Sequence, residues 1–173
     1  LFFTRKGRCY WLKCYEIPEG DKNFKGRAIQ NMLNIEPDDS VNALLRLRGL
    51  NDEEFVKSHY VVFATKNGTV KKTSLEAYSR PRTNGVNAIN IVEGDEVVDV
   101  RLTNGKNEII LANRNGRAVR FDEDSIRTMG RVSTGVRGMK LDDGDDQVVG
   151  MIVVNNAETE TVMVVSENGY GKR

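Results

Sequence analysis

One short pattern constrains the fold of this sequence most strongly: an apolar run, then Asn-Gly, then an alternating run. It occurs at Asn67-Gly68 and Asn115-Gly116, begins again at Asn168-Gly169, and has a degenerate copy that turns at Lys6-Gly7. Asn-Gly between two strand-like runs is typical of a β-hairpin with a type I′ turn, in which both central residues take positive φ. Four copies of one hairpin in 173 residues predict a repeat architecture.

The copies divide the sequence into units of similar length. We expect repeat units at 1–50, 60–104 and 108–155, and the start of a further unit at 161–173, with residues 49–58 as a joint. From the turn glycine to the next loop glycine is 17 residues in the second unit and 19 in the third. Four short strands per unit with almost no helical periodicity are typical of propeller blades. We therefore predict an all-β, propeller-like fold of about three blades within a larger ring.

Apolar and alternating runs predict the individual strands. In the first unit we expect two long strands between Leu1 and Pro18 and another over 41–47. The runs that predict the later strands are 61–64, 70–73, 86–92, 97–102, 109–112, 119–121, 136–141, 148–154 and 162–165. Residues 75–78 are expected to form a short turn, and Lys71 and Lys72 are expected to point outward from their strand. Trp11 and Phe3 are expected to fill a blade core.

The net charge is only +1, but the charges alternate along the chain. Residues 61–92 carry +4 and residues 93–99 carry −4, and a basic stretch from Arg127 to Lys140 precedes the acidic turn Asp142–Asp146. If the repeats stack in register, the basic segments share one surface and the acidic turns another. Solvated strand faces and turns are the plainer interpretation of the same charges.

Composition places the chain among globular proteins, with 39% apolar and 29% charged residues. No apolar run approaches the roughly 18 residues of a membrane span, and no signal-peptide pattern opens the chain. Cys9 and Cys14, five residues apart on one predicted strand, are expected on opposite faces without a disulfide, which fits a reducing cytoplasm. Because the sequence starts and stops inside apolar runs, we expect it to be a piece of a longer protein.

The sequence offers little for an enzyme active site. His59 is the only histidine, so a Ser-His-Asp triad has one candidate, and no motif surrounds it. The cluster Asp142–Asp146 lacks the spacing of a calcium-binding EF-hand loop and matches the acidic turn of the preceding unit. Residues 135–138 lack the pattern of a phosphate-binding loop. We expect neither a catalytic residue nor a metal site in this chain.

Several motifs, in order, closely resemble the C-terminal domain of the DNA gyrase A subunit. They are Tyr10–Pro18, Asn67–Thr73, Arg80–Gly85, Gly94–Glu96, Asn115–Arg120, Ser133–Gly138 and Asn168–Arg173, so the resemblance covers essentially the whole chain. The resemblance implies a β-pinwheel, in which four-stranded propeller-like blades exchange strands with their neighbours. It also implies that duplex DNA bends around a basic rim and supports ATP-dependent negative supercoiling.

The resemblance further implies partners and location. The partner is double-stranded DNA, contacted through its phosphates without sequence specificity, and the parent would be a gyrase A dimer with gyrase B subunits in the cytoplasm, associated with the nucleoid. No cofactor is expected in this chain, since the parent complex uses ATP and Mg²⁺ elsewhere. The catalytic tyrosine of the family lies in an upstream domain, and none of the five tyrosines here matches its context. The family's basic, glycine-rich gyrase A box is absent from this sequence.

Matching the basic residues to the family rim gives a set of candidate phosphate contacts. They are Arg5, Lys6, Arg8, Lys13, Lys25, Arg27, Lys66, Lys71, Lys72, Arg80, Arg82, Arg114, Arg117, Arg120, Arg127, Arg131, Arg137, Lys172 and Arg173. Because Lys71 and Lys72 are neighbours on a strand, their side chains diverge, and not all candidates face one way.

Three alternatives stay open. Topoisomerase IV, which has a related but smaller pinwheel, is a possible parent. A protein-binding β-propeller without a nucleic-acid role would explain the fold and the low net charge, although the Gly-His and Trp-Asp signatures of WD40 repeats are missing. A purely structural fragment, whose wrapping surface needs further blades, is the third.

Overall fold

The computed structural model describes residues 1–142 and 144–173, and short antiparallel strands dominate it. The strands are β1 Phe2–Thr4, β2 Arg8–Tyr10, β3 Val41–Leu44, β4 Tyr60–Thr65, β5 Thr69–Ser74, β6 Val86–Asn87, β7 Val97–Thr103, β8 Glu108–Asn113, β9 Ala118–Asp122, β10 Val136–Arg137, β11 Val148–Val154, β12 Val164–Val165 and β13 Gly171–Lys172. One short helix, α1, spans Glu53–Ser58, and single 3₁₀ turns lie at Cys14–Glu16, Ile29–Asn31, Leu75–Tyr78 and Glu123–Ser125.

The strands pair into blades that exchange their outer strands. Blade one has the order β3-β1-β2-β6, blade two β7-β4-β5-β10, and blade three β11-β8-β9, while β12 and β13 form a separate pair. Strand β6 leaves the second unit to pair with β2, with Cys9 opposite Val86. Strand β10 leaves the third unit to pair with β5, with Val70 opposite Val136. This exchange confirms the predicted β-pinwheel.

Two apolar cores separate the blades. Val61 and Phe63 of β4 pack toward blade one, where the ring of Phe3 meets that of Phe63 edge-on at 5.3 Å between centroids. Val62 and Ala64 pack toward blade three with Ile109 and Leu111. The central strands β4 and β5 of blade two are therefore covered on both faces and are buried along their length rather than alternately.

The hairpins lie where the sequence predicts them, but their turn type is not I′. At Gly68 the loop has three residues, the glycine N–H donates to Thr65 O at 3.0 Å, and φ is +85°. No asparagine or lysine of these turns takes positive φ among the residues the structure describes. A type I turn followed by a left-handed glycine fits this geometry, so the type I′ prediction is wrong.

Other local predictions are also corrected. The two long strands expected before Pro18 are three-residue strands, and Cys14 lies in a 3₁₀ turn, so it shares no strand with Cys9. Strand β6 ends after two residues because the N–H groups of Ala88 and Ile89 both turn to Gly7 O. The joint contains α1, which begins where Asp52 accepts a hydrogen bond from the Phe55 N–H at 3.0 Å.

Candidate nucleic-acid interface

Two loops lead into the exchanged strands and therefore lie at the outer edge of the blades. We call residues 79–85, before β6, and residues 127–135, before β10, the rim loops. They hold the cation-rich segments that the sequence analysis singled out. Both loops are built by contacts to blades other than their own unit's.

Rim loop 127–135 is fixed along its backbone. The Met129 N–H donates to Lys72 O at 2.7 Å, and Arg131 O accepts from the Lys71 ammonium at 2.6 Å. Asn90 holds the next two residues, because its side-chain amide donates to Val132 O and its N–H donates to Ser133 O at 3.1 Å. A loop fixed at consecutive residues presents its side chains in one arrangement.

Rim loop 79–85 is held by fewer bonds. The Arg8 guanidinium on β2 donates to Asn84 O at 2.7 Å, and the Asn34 amide donates to Asn84 Oδ1 at 3.2 Å. The Gly85 N–H closes the loop on Arg82 O at 3.0 Å. Arg8, which was predicted to contact DNA, is half-buried and instead holds this loop through its hydrogen bond to Asn84 O.

The rim loops and the adjoining strand β10 carry cations without acidic partners. Arg80, Arg82, Arg127 and Arg137 are exposed, and Arg131 is half-buried. Within residues 1–142 and 144–173, no carboxylate lies within 4.0 Å of these five guanidinium groups. Their charge remains available to an anionic ligand.

The predicted cations of the hairpin turns behave differently. Arg5 and Lys66 both approach Glu96, at 3.7 and 3.9 Å, and Lys6 pairs with Asp38. Arg117 pairs with Asp142 at 2.8 Å. The acidic turns therefore lie against the basic hairpins, and the predicted separation into a basic and an acidic surface is wrong at these turns. Asp143, part of the predicted third acidic turn, lies outside the described residues.

A recurrent hydrogen bond explains why the acidic turns lie there. We call Asp39, Asp95 and Asp146 the capping aspartates, because each accepts a backbone N–H of the hairpin turn in its own unit. The donors are Lys6 at 3.1 Å, Asn67 at 2.9 Å and Asn115 at 3.4 Å. Desolvation acts to raise the pKa of Asp146, but its backbone and Asn113 donors hold it below the usual value.

Lys71 and Lys72 do not point outward, so that prediction is wrong for both. Lys71 is 0% exposed, and its ammonium donates to Ala88 O and Arg131 O. Lys72 is buried and donates to Glu123 O at 2.8 Å. Neither reaches solvent because the central strands of blade two are covered on both faces. Desolvation, with a smaller contribution from the charge of Arg131, lowers the pKa of Lys71 to about 7.

Arg120 lies on a blade face rather than on the rim. It pairs with Ile110 of β8 as Lys72 pairs with Val62 of β4, so the two cations hold equivalent positions in successive blades. Arg120 donates to Glu108 at 3.0 Å across the sheet. We therefore place Arg120, like Lys71 and Lys72, outside the candidate interface.

The remaining candidates are exposed but scattered. Lys13, Lys25 and Arg27 lie in the irregular segment 11–28, Arg114 lies in the third hairpin turn, and Lys172 and Arg173 lie at the end of the β12–β13 pair. The structure does not bring these six residues together with the rim loops.

Four residues that shape the hairpins are not among the residues predicted from the sequence. Three positions before each turn glycine stands Thr4, Thr65, Asn113 or Ser166, whose side chain accepts the N–H of the residue after the glycine. This spacing is visible in the sequence and, with the capping aspartates, would have indicated a built turn. Among the described residues no cluster of potential metal ligands was found, and no helix is long and apolar enough to cross a membrane.

Two four-stranded blades and a three-stranded blade, the first two of which receive their outer strand from the following unit, define a β-pinwheel, and the arginines at its outer edge give it a basic rim. The profile of the family described as the DNA gyrase C-terminal domain, a β-propeller, matches residues 1–48, 59–104, 107–155 and 160–173. The chain belongs to this family.

Similar proteins agree with that assignment. The DNA gyrase A subunits of Salmonella typhimurium and Staphylococcus epidermidis are each 44% identical over 173 residues, which is all of this chain and 19% of the relative. The chain thus spans about a fifth of the length of these curated relatives. The crystal structure of the C-terminal domain of DNA topoisomerase IV matches with a TM-score of 0.84 and 32% identity, over 99% of this chain and 51% of that chain. A DNA gyrase A C-terminal domain structure has the same fold, with a TM-score of 0.79 and 24% identity over 98% of this chain and 52% of that chain.

Proposed function

We propose that this chain binds duplex DNA along its rim loops and bends it, as the wrapping module of a gyrase A protein. One observation carries the proposal: the rim loops of successive units and the adjoining strand β10 present five arginines that have no acidic partner among the described residues. Phosphate recognition needs cations spaced along a path rather than groups that read base edges. Contacts with phosphates repay the cost of bending, about 1–6 kcal/mol for a short duplex.

The parent protein follows from the relatives. Gyrase A subunits match the whole chain at 42–44% identity, which favours gyrase over topoisomerase IV as the parent. In such a parent, an ATP-dependent type II topoisomerase in the cytoplasm, the chain would present DNA wound around its rim to a cleavage site in another domain. Gyrase B subunits would supply ATP hydrolysis, and this chain would act without a cofactor and without catalysis of its own.

A charge-reversal pair tests the proposal. The double variant Arg82→Glu with Arg137→Glu places negative charge in rim loop 79–85 and on the adjoining strand β10, and phosphate repulsion should weaken binding to a duplex of ~40 base pairs about tenfold or more. Fluorescence anisotropy with a labelled duplex at moderate salt measures the change.

The matched control changes net charge by the same amount away from the rim. Arg101 lies on β7 and pairs with Asp99, and Lys106 lies in the turn between β7 and β8. A lower net charge weakens DNA binding wherever the charge is changed. Apart from that general effect, the double variant Arg101→Glu with Lys106→Glu should bind DNA within about twofold of the unchanged chain. Equal losses in both double variants would contradict a rim-specific interface.

A further inference from the structure

Exposed apolar side chains lie beside the cations of both rim loops and beside one cation of segment 11–28. Val132, next to Arg131 in rim loop 127–135, is 67% exposed, and Pro81 is exposed between Arg80 and Arg82. In the first unit Phe24, beside Lys25, is 49% exposed. Single exposed apolar residues need no explanation, but one in each rim loop, and another beside Lys25 in segment 11–28, forms a pattern.

The position of Val132 is set by the loop rather than by packing of its own side chain. Hydrogen bonds from Lys71 and Asn90 fix the carbonyl groups of Arg131 and Val132, while the valine side chain stays in solvent. Because Val132 is 67% exposed, its side chain adds little apolar burial to the fold, although its backbone is held by a hydrogen bond. A residue whose backbone is already ordered loses less conformational entropy when it binds a ligand.

Apolar groups between arginines have a known use in DNA bending. Architectural proteins place arginines in the minor groove and insert apolar side chains between base steps, which partly unstacks and kinks the duplex. Pyrimidine–purine steps such as TA and CA yield most easily. Arginines without apolar groups also favour DNA that bends easily, as in the nucleosome, so an apolar contribution is recognised by a step preference that depends on the apolar side chain.

We propose that the rim loops face the minor groove of the DNA, with Val132 and Pro81 as apolar contacts that favour flexible pyrimidine–purine steps. This inference rests on the proposed function and adds to it where the bend is placed. The chain then prefers DNA that bends easily rather than particular bases. Its preferred sites carry flexible pyrimidine–purine steps about every ten base pairs.

The test compares two duplexes of ~40 base pairs with equal composition, one with TA steps about every ten base pairs and one without them. Dissociation constants across a salt series and end-to-end energy transfer are measured for the unchanged chain and for Val132→Ser. The control is Val149→Ser, since Val149 is also exposed, at 53%, but lies on β11 away from the rim loops. Circular dichroism checks folding of both variants.

The unchanged chain and Val149→Ser should bind the TA duplex more tightly and bend it more. Val132→Ser should keep the salt dependence but lose about threefold or more of the preference and part of the bend. A preference that is absent in the unchanged chain, or that survives in Val132→Ser, would overturn the inference while leaving the rim interface intact. Absence of salt-dependent binding by the folded chain would instead refute the proposed function, and this inference with it.

Discussion

At the scale of single residues, Lys71 shows how a cation can serve an interface that it does not touch. Its ammonium joins Ala88, from the segment that follows exchanged strand β6, to Arg131 of a rim loop. The ring of Phe63 lies 5.5 Å from the ammonium and adds a cation–π contact. Burial of a charge is costly, so these partners must compensate for lost water. Lys71 is therefore a positioning residue for the rim loop.

The lowered pKa of Lys71 predicts a pH dependence of stability. With a folded pKa of about 7 and an unfolded value of 10.5, the unfolded chain binds more protons between these pH values. Stability from this group therefore rises with pH through that window, by at most about 1.4 kcal/mol per pH unit. The free energy of unfolding of the unchanged chain, relative to Lys71→Met, should increase from pH 7 to pH 9. Urea titrations at each pH measure it.

Lys106→Met is the control for this comparison, because Lys106 is exposed. Taking the difference between variants removes the contribution of Cys9, whose thiol pKa is raised by burial and which acts in the opposite direction at high pH. A difference between the unchanged chain and Lys71→Met that stays constant from pH 7 to pH 9 would contradict a buried, destabilised ammonium.

The burial of Lys71 and Lys72 could not be predicted from their own strand. The segment Thr69–Ser74 has polar residues at both parities, so alternation suggests at least one wet face. Both faces are buried because segments from elsewhere in the chain cover them. The residues that contact Lys71, Ala88 and Arg131, lie about twenty to sixty residues away in the sequence. By contrast, the exposed rim arginines next to Pro81 and Gly135 were predictable, since loop sequences with proline and glycine lie at the surface.

At the scale of secondary-structure elements, each blade is organised by a hairpin turn and its capping aspartate. The turn exposes backbone N–H groups, and the aspartate of the later acidic turn accepts one of them. The same aspartate in the second unit also accepts the Glu96 N–H at 2.8 Å. The acidic turns thus join the start of a unit to its last strand, and the capping aspartate of each turn has a structural role.

Removing one capping aspartate should destabilise the fold. Asp95→Ala leaves the Asn67 and Glu96 N–H groups without their acceptor, and we expect a loss of about 1–2 kcal/mol in the free energy of unfolding. Glu93→Ala is the matched control, since Glu93 is exposed in the same turn and has no hydrogen bond or ion pair within the described ranges. Equal stability of the two variants would show that the cap contributes nothing. Chemical denaturation provides the measurement.

The hairpins of the second and third units and the strands β7 and β11 were predictable, whereas the turn geometry and the exchanged strands β6 and β10 were not. Strand β11 has the predicted bounds, and β7 extends only one residue further, because apolar runs bury one or both faces. Asn-Gly is compatible with more than one turn type. The side chain of Thr65, three residues before Gly68, accepts the Thr69 N–H and so selects the three-residue loop. The residues of β6 and β10 do not specify their partner strand, so only the family resemblance predicted the exchange.

At the scale of the molecule, strand exchange determines which blade each rim loop contacts. Because β6 and β10 cross to the preceding blade, each rim loop rests on a blade of the neighbouring unit. Strands β3, β7 and β11 pack against one another on the opposite side of the sheets, with β7 between the other two. Successive rim loops therefore follow one another along the outer edge, which is the arrangement that a bent duplex requires.

The dependence of DNA affinity on salt tests this account most directly. A labelled duplex of ~40 base pairs, without designed sequence features, is titrated with the folded chain at a series of salt concentrations. If the five rim arginines each neutralise a phosphate, log affinity should fall linearly with log salt with a slope of about −4 to −5. A flat dependence, or no binding at low salt by a chain that is shown to be folded, would contradict the proposed rim.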